Sequence, residues 1–294
     1  MTAVAWLGTG LLGSGFVEAA LGRGDEVTVW NRTASKTEAL AASGARVAAT
    51  PADCVRGAER VHLCLSDDAA VDAVVEALLP ALAPSAAIVD HTTVSPAGAR
   101  ARVARLRARG VDLVAAPVFM GPQNAREATG RMLVGGAEAV VERLAPALSR
   151  MTGQLVRLGE DVGRPCALKL VGNALIIGLA ASFADALAVG LRSGLAAEEV
   201  RDFAAHFPFG AVVAGRASRM VAGDYAPSFE LSMARKDVRL MVEAAADLPL
   251  AVLPGLAARL DALIEAGHGA KDLGALSVAT IPPSAAPTRA GGKP

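Results

Sequence analysis

The chain has 294 residues, with 29 basic and 29 acidic side chains and a formal net charge of zero. That length suits about two domains of roughly 150 residues. The balanced charge argues against nucleic acid or an anionic membrane as partner, because both need a basic footprint. Hydrophobic residues make up 53% and aromatics only 3%, so the core is built from Ala, Val and Leu. The scattered Cys54, Cys64 and Cys166 show no metal-ligand spacing and no disulfide framework. They point to a reduced, cytoplasmic setting. No signal peptide is expected, because the structured pattern begins at Ala3.

Residues 3–7 (AVAWL) form a short apolar run bounded by glycine, as a buried strand requires. Gly8-Thr9-Gly10-Leu11-Leu12-Gly13 follows, then a helical run to about residue 21 and a second strand at 26–30 (EVTVW). A glycine turn between strand and helix in such a unit makes a tight bend, lets a pyrophosphate approach the backbone and aims the helix N-terminus at it. At the end of the second strand, a carboxylate would bond the ribose 2′-OH of NAD. This chain has Asn31-Arg32-Thr33, with Lys36 close behind. Arg32 can pair with a 2′-phosphate, so NADP(H) is the expected cofactor.

Alternation continues: helix 35–42, strand 46–48, helix 52–57, strand 60–65, helix 69–79, strand 87–90, helix 95–109 and strand 111–115. This pattern predicts a parallel sheet with helices on both faces. Cofactors bind beyond the carboxyl ends of such strands, which places Leu65, Ser66 and Thr93 among the candidate contacts. Ser95 before Pro96 reads equally as a helix cap. The arginines from Arg100 to Arg109 read as a solvated helix face. His62 reads as packed in its strand, and His91 has no evident partner in sequence. His206 and His268 have no ligand spacing, and no metal site is expected. Residues 115–136 read as a Gly/Pro-containing loop that resumes a strand at 132–134, a plausible binding loop. Helix 137–148 and strand 154–157 close the first domain.

The stretch 163–192 is a long apolar helix opened by Pro165. It carries Lys169 and, four residues later, Asn173, which therefore share a face. Lys169, Asn173, Asp185 and Arg192 interrupt it, so a buried inter-domain helix accounts for it better than a membrane span. After Gly194 only helices are expected: 196–206, 211–222, 229–247, 254–266 and 272–278. The predicted layout is a Rossmann-type α/β domain over 1–160 and an all-α domain over 161–281. A disordered tail is expected over 282–294.

With these motifs in order, the chain resembles the β-hydroxyacid dehydrogenase family, which contains 3-hydroxyisobutyrate dehydrogenase and the tartronate-semialdehyde and glyoxylate/succinic-semialdehyde reductases. The resemblance spans roughly residues 2–281. It rests on the glycine turn, on Val89-Asp90-His91-Thr92-Thr93-Val94-Ser95-Pro96, on Lys169-Leu170-Val171-Gly172-Asn173, and on Phe229, Leu231, Lys236 and Asp237 in FELSMARKDVRL. It implies Lys169 as general acid/base, Asn173 as substrate-orienting amide, Lys236 as a late cofactor contact, and a homodimer. One part departs. Where the family's substrate loop usually reads Asp-Ala-Pro-Val-Ser-Gly-Gly, this chain has Ala115-Ala116-Pro117-Val118-Phe119-Met120-Gly121. Phe119, Met120 and Gly121 thus line a substrate site where bulk replaces a hydroxyl donor, and a larger or less polar carbonyl becomes plausible. The related imine reductases also have apolar pockets but lack the lysine at this helix position. Lys169 therefore favours an aldehyde/ketone or β-hydroxy acid couple. A reductive role on C=N, and a non-catalytic dinucleotide-binding protein, are the alternatives.

Overall fold

A computed structural model describes residues 2–280. The expected disordered tail, 282–294, lies outside the described residues. The chain divides into two compact units, with the division after Asn173.

The first unit runs β1 (Ala3–Leu7), α1 (Leu11–Gly22), β2 (Glu26–Trp30), α2 (Glu38–Ala42), β3 (Arg46–Val47), α3 (Pro51–Val55), β4 (Arg60–Leu63), α4 (Asp68–Leu78), β5 (Ala87–Asp90), α5 (Pro96–Arg107) and β6 (Asp112–Ala115). These six strands form one sheet in the order β3-β2-β1-β4-β5-β6, every pairing parallel. Successive strand side chains point to opposite faces. Val4 and Trp6 therefore join one core with Phe16 and Val17 of α1, while Ala5 and Leu7 join a second core with Val71 and Val75 of α4. Burying a Val, Leu or Phe side chain contributes about 1.5–3 kcal/mol, so the period-two pattern fixes the register of the central strands.

The secondary structure of the first unit departs from expectation in three places. The expected helix over 35–42 is a 3₁₀ turn (Ala34–Thr37) followed by α2. The Thr9 hydroxyl donates to the Lys36 carbonyl at 3.1 Å, engaging it from outside the helix. The strand expected to reach residue 65 stops at Leu63, because the Leu65 N–H donates to Thr92 Oγ1 at 3.1 Å. The third departure is the expected loop over 115–136, which contains β7 (Val118–Phe119) and α6 (Pro122–Glu127). β7 pairs antiparallel with β8 (Arg131–Val134), and β8 pairs parallel with β9 (Gln154–Arg157). With α7 (Glu138–Ser149) between β8 and β9, they make a separate three-stranded sheet.

The helix α8 (Gly163–Arg192) runs through the division. The second unit continues as α9 (Ala197–His206), α10 (Phe209–Val221), α11 (Leu231–Ala245) and α12 (Leu253–Leu263). Its core holds Leu231, Val238, Leu260, Leu263 and Ala275. The buried Asp272 carboxylate accepts from the N–H groups of Ser228, Phe229 and Gly274 and from Arg216 Nη1. α8 is long and apolar enough to cross a membrane by length and composition. Yet its buried Asp185 accepts three backbone N–H bonds, from Ala251, Val252 and Leu253, at 2.6–2.9 Å. That carboxylate ties α8 to the start of α12, but the helix is not buried as expected: Val171, Leu175, Ile176 and Ile177 are exposed in the single chain.

Candidate active site

The sheet order reverses between β1 and β4, and in open parallel sheets ligands bind beyond the carboxyl ends of the strands at such a point. A cleft of about 600 Å³ lies there. Of the expected cofactor residues, Gly8, Gly10, Asn31, Arg32, Thr33, Lys36, Leu65 and Ser66 line it. Gly8 has φ +99, and a Cβ there would stand 2.2 Å from the Cys64 carbonyl oxygen. A Cβ on Gly13 would meet the Gly8 carbonyl oxygen at 2.1 Å, so helix and turn close to a distance only glycine permits. Gly10 faces open space and caps α1 without any side-chain hydrogen bond. The first N–H groups of α1, at Leu11 and onward, are thus left for an anion. This cradle suits a dinucleotide pyrophosphate.

Asn31 holds the rim together. Its Oδ1 accepts from Thr9 N at 3.1 Å and its Nδ2 donates to the Thr33 carbonyl at 3.0 Å. The phosphate turn and the strand end that carries Arg32 are therefore one rigid piece. Thr9 is buried and its hydroxyl is committed to Lys36 O, so its part is structural. Leu12 packs against the first core, whereas Leu11 is 84% exposed. One wall was not anticipated: Ala70, Ala73, Val74 and Ala77 of α4. Their spacing is that of a single helix face, a stripe of small residues legible in sequence.

At the next strand ends, Thr93 is exposed after β5, whereas Thr92 is buried and latches Leu65 N to Asp90 Oδ1. Ser95 is the N-cap of α5, accepting from Gly98 N at 3.0 Å. Asp90 lies buried, and burial pushes its carboxyl up to about 6 despite Arg102 Nη1 at 3.8 Å. Arg102 does not lie on a solvated helix face: it is 1% exposed and reaches Asp68 at 3.0 Å and Asp72 at 2.9 Å. His91 does have a partner. His62 Nδ1 lies 3.0 Å from His91 Nε2, and His91 Nδ1 lies 2.8 Å from the Ala116 carbonyl. Both imidazoles are buried, and burial lowers the pKa of each. The Ala116 carbonyl can only accept, so His91 carries its proton on Nδ1 and His62 donates to His91 Nε2.

Lys169 and Phe119 meet. The ammonium stands 4.3 Å from the ring centroid, and the half-buried lysine has its pKa lowered by desolvation. The ring lies on α8 at Gly172, where a Cβ would come 2.2 Å from Phe119 Cζ. Asn173, partly exposed, follows on the Lys169 face. Met120, by contrast, turns back over Gly130 and packs against the first core. Gly121 caps α6, its N–H donating to Asn124 Oδ1 at 2.9 Å. In the second unit Lys236 stands on α11, half-exposed, with Nζ 2.9 Å from Asp237 Oδ1.

Comparison with known proteins agrees with this geometry. Residues 3–159 match the family described as the NAD binding domain of 6-phosphogluconate dehydrogenase. Residues 163–278 match the family described as NAD-binding of NADP-dependent 3-hydroxyisobutyrate dehydrogenase. The 3-sulfolactaldehyde reductase of Escherichia coli (strain K12) is 28% identical over 293 residues, covering 94% of this chain and 95% of the relative. A probable 3-hydroxyisobutyrate dehydrogenase-like protein of Arabidopsis thaliana, described as mitochondrial, is 30% identical over 258 residues, covering 83% and 77%. Among solved structures, the Streptomyces aurantiacus imine reductase superposes with a TM-score of 0.84 at 29% identity, covering 96% of this chain and 100% of that one. The chain therefore belongs to the 6-phosphogluconate/3-hydroxyisobutyrate dehydrogenase family, the β-hydroxyacid dehydrogenase-like NAD(P)-dependent oxidoreductases.

Proposed function

We propose that the chain is an NADP(H)-dependent reductase of an aldehyde/ketone or β-hydroxy acid couple, with Lys169 as the proton donor and acceptor. The observation that carries this reading is the half-buried Lys169, desolvated and held beside Phe119. A lowered pKa helps an ammonium exchange a proton near neutral pH. Bound in the cleft, the dinucleotide supplies the hydride. Lys169 Nζ then gives a proton to the substrate oxygen, or takes one in the reverse direction. The Asn173 amide holds that oxygen or a neighbouring polar group in place. Phe119 excludes water and presents an apolar wall, which favours substrates larger or less polar than a short hydroxy acid. Arg32, with Thr33 and Lys36, favours NADP(H) over NAD(H), because no carboxylate stands at the end of β2 to repel the 2′-phosphate. Lys236 is proposed as a further cofactor contact, on the strength of the Lys-Asp motif.

The test is turnover of a panel of aldehydes, β-hydroxy acids and cyclic imines with NADPH. Lys169→Met should lower kcat by about 10²–10⁴-fold and leave NADPH binding unchanged. Undiminished turnover refutes the role of Lys169. Imine reduction is the second reading, favoured by Phe119 and by the likeness to the Streptomyces aurantiacus imine reductase; turnover of imines alone would establish it. Tight NADPH binding without turnover across the panel would instead mark a non-catalytic protein. We further propose a homodimer, supported by Leu175, Ile176 and Ile177 of α8, which are 58–65% exposed in the single chain. Light scattering checks it. The free thiols Cys54, Cys64 and Cys166 support a reduced compartment such as the cytoplasm.

A further inference from the structure

We propose that the amino-terminal edge of the parallel sheet carries a binding site for a small oxyanion such as a phosphate group, formed by Arg23, Arg60 and Arg150. The three arginines line a pocket of about 220 Å³, and the charge of Arg150 acts on both Arg23 and Arg60. The fold brings them together because Arg60 opens β4, while Arg23 and Arg150 cap the carboxyl ends of α1 and α7. The dinucleotide cleft lies at the opposite ends of the same strands, so the two sites are separate.

The charge in this pocket is poorly compensated. Asp25 is the carboxylate that lines it, and Arg23 Nε stands 3.8 Å from Asp25 Oδ2. Glu59 acts on Arg60 without lining the pocket. The two helix ends contribute about half a negative charge each, which leaves an excess of positive charge among the lining groups. Burial lowers the pKa of Arg23 and of Arg60, and the charge of Arg150 lowers each further. Several arginines elsewhere in this unit stand against carboxylates at hydrogen-bonding distance, such as Arg100 with Asp161 at 2.7 Å and Arg143 with Asp112 at 2.8 Å. Here, independently of the charges, Arg60 Nε is closed off from solvent and has no hydrogen-bond partner. A buried donor on a charged group is costly to leave unpaired. An oxyanion offers several acceptor oxygens in the geometry of a guanidinium fork and relieves the mutual repulsion. The volume admits a phosphate or a short phosphomonoester and is smaller than the pockets that hold drug-sized ligands.

Inorganic phosphate is the probe. It is titrated into the full chain at constant ionic strength set with chloride, and binding is followed by phosphorus NMR and by the melting temperature. The titration is repeated on Arg32→Gln, which removes the phosphate-binding candidate of the dinucleotide cleft, and on Arg150→Gln and Arg60→Gln. Arg150 is exposed and its side chain has no hydrogen bond or ion pair among the described residues, its backbone N–H alone closing α7 on the Ala147 carbonyl, so replacing the side chain leaves the fold intact, which circular dichroism verifies. Saturable binding is expected in the unaltered chain and in Arg32→Gln, weakened about tenfold or more in Arg150→Gln and Arg60→Gln. A response that does not saturate, that chloride reproduces, or that persists in both Arg150→Gln and Arg60→Gln overturns the site.

Discussion

The Lys169 ammonium rests 4.3 Å from the centroid of the Phe119 ring, and the ring in turn rests on the bare backbone of Gly172. Three residues from two distant parts of the chain thus form one unit. The bulk at position 119 is accommodated because position 172 has no side chain.

Gly172→Ala should therefore expel the ring. Overpacking of this kind costs about 1–3 kcal/mol, and turnover should fall with it. In a Phe119→Ala background the same methyl meets no ring, and most of the cost should vanish. A double-mutant cycle by urea denaturation reads the coupling, expected at about 0.5–3 kcal/mol. Strictly additive effects would mean that the two residues do not bear on one another.

Cofactor choice should turn on Arg32. Arg32→Glu removes a charge-assisted bond to the 2′-phosphate and adds repulsion, so KM for NADPH should rise about tenfold to a hundredfold. KM for NADH should move far less. Steady-state kinetics with both cofactors decide the matter, and equal changes in the two would remove Arg32 from the phosphate site.

Stability should carry a pH signature from Asp90. Burial raises its folded pKa to about 6, whereas an unfolded aspartate titrates near 3.9. Folding thus favours the protonated carboxyl. That contribution is complete below about pH 4 and is lost as the pH rises through about 6. Relative to Asp90→Asn, the unaltered chain should lose up to about 3 kcal/mol between pH 4 and pH 7. Denaturation curves across that range test it, and a pH-independent difference would show that Asp90 does not titrate there.

Asp185 should be a stability residue of the second unit. Its carboxylate accepts three backbone N–H bonds from residues 251–253. Asp185→Ala leaves those donors unpaired, at a cost of about 3 kcal/mol or more. Hydrogen exchange at Ala251, Val252 and Leu253 should accelerate. Unchanged protection would place the stability of this turn elsewhere.

The parts of the molecule legible in sequence are those where one short stretch settles its own structure. The run Ala3–Leu7 alternates between two cores, and the glycine turn follows it directly, so strand, turn and helix all read correctly. The Rossmann-type layout and the all-helical second half follow from the same local periodicity. In the region 115–136 the strand at 132–134 is legible and is β8, whereas the part before it reads only as loop, because β7 is two residues long and gains its strand character from pairing with β8. The Phe119–Gly172 seat, the His62–His91 pair and the burial of Arg102 all join segments remote in sequence. Lys169 and Asn173 showed themselves as polar intruders on an oily helix. Nothing local to Gly172 between them marks it as the seat of a ring from position 119.

The chain's two tryptophans occupy unlike surroundings. Trp30 lines the cleft, while Trp6 is stacked on His62 at 4.3 Å inside the sheet's core. The protein thus contains its own pair of optical reporters. Emission from Trp30 should shift when an oxidised dinucleotide, which accepts no energy from tryptophan, covers its ring, while Trp6, sealed against an imidazole, should change mainly when the sheet itself comes apart. A Trp30→Phe chain would register unfolding alone, and a Trp6→Phe chain would register ligand occupancy, with no label attached to either.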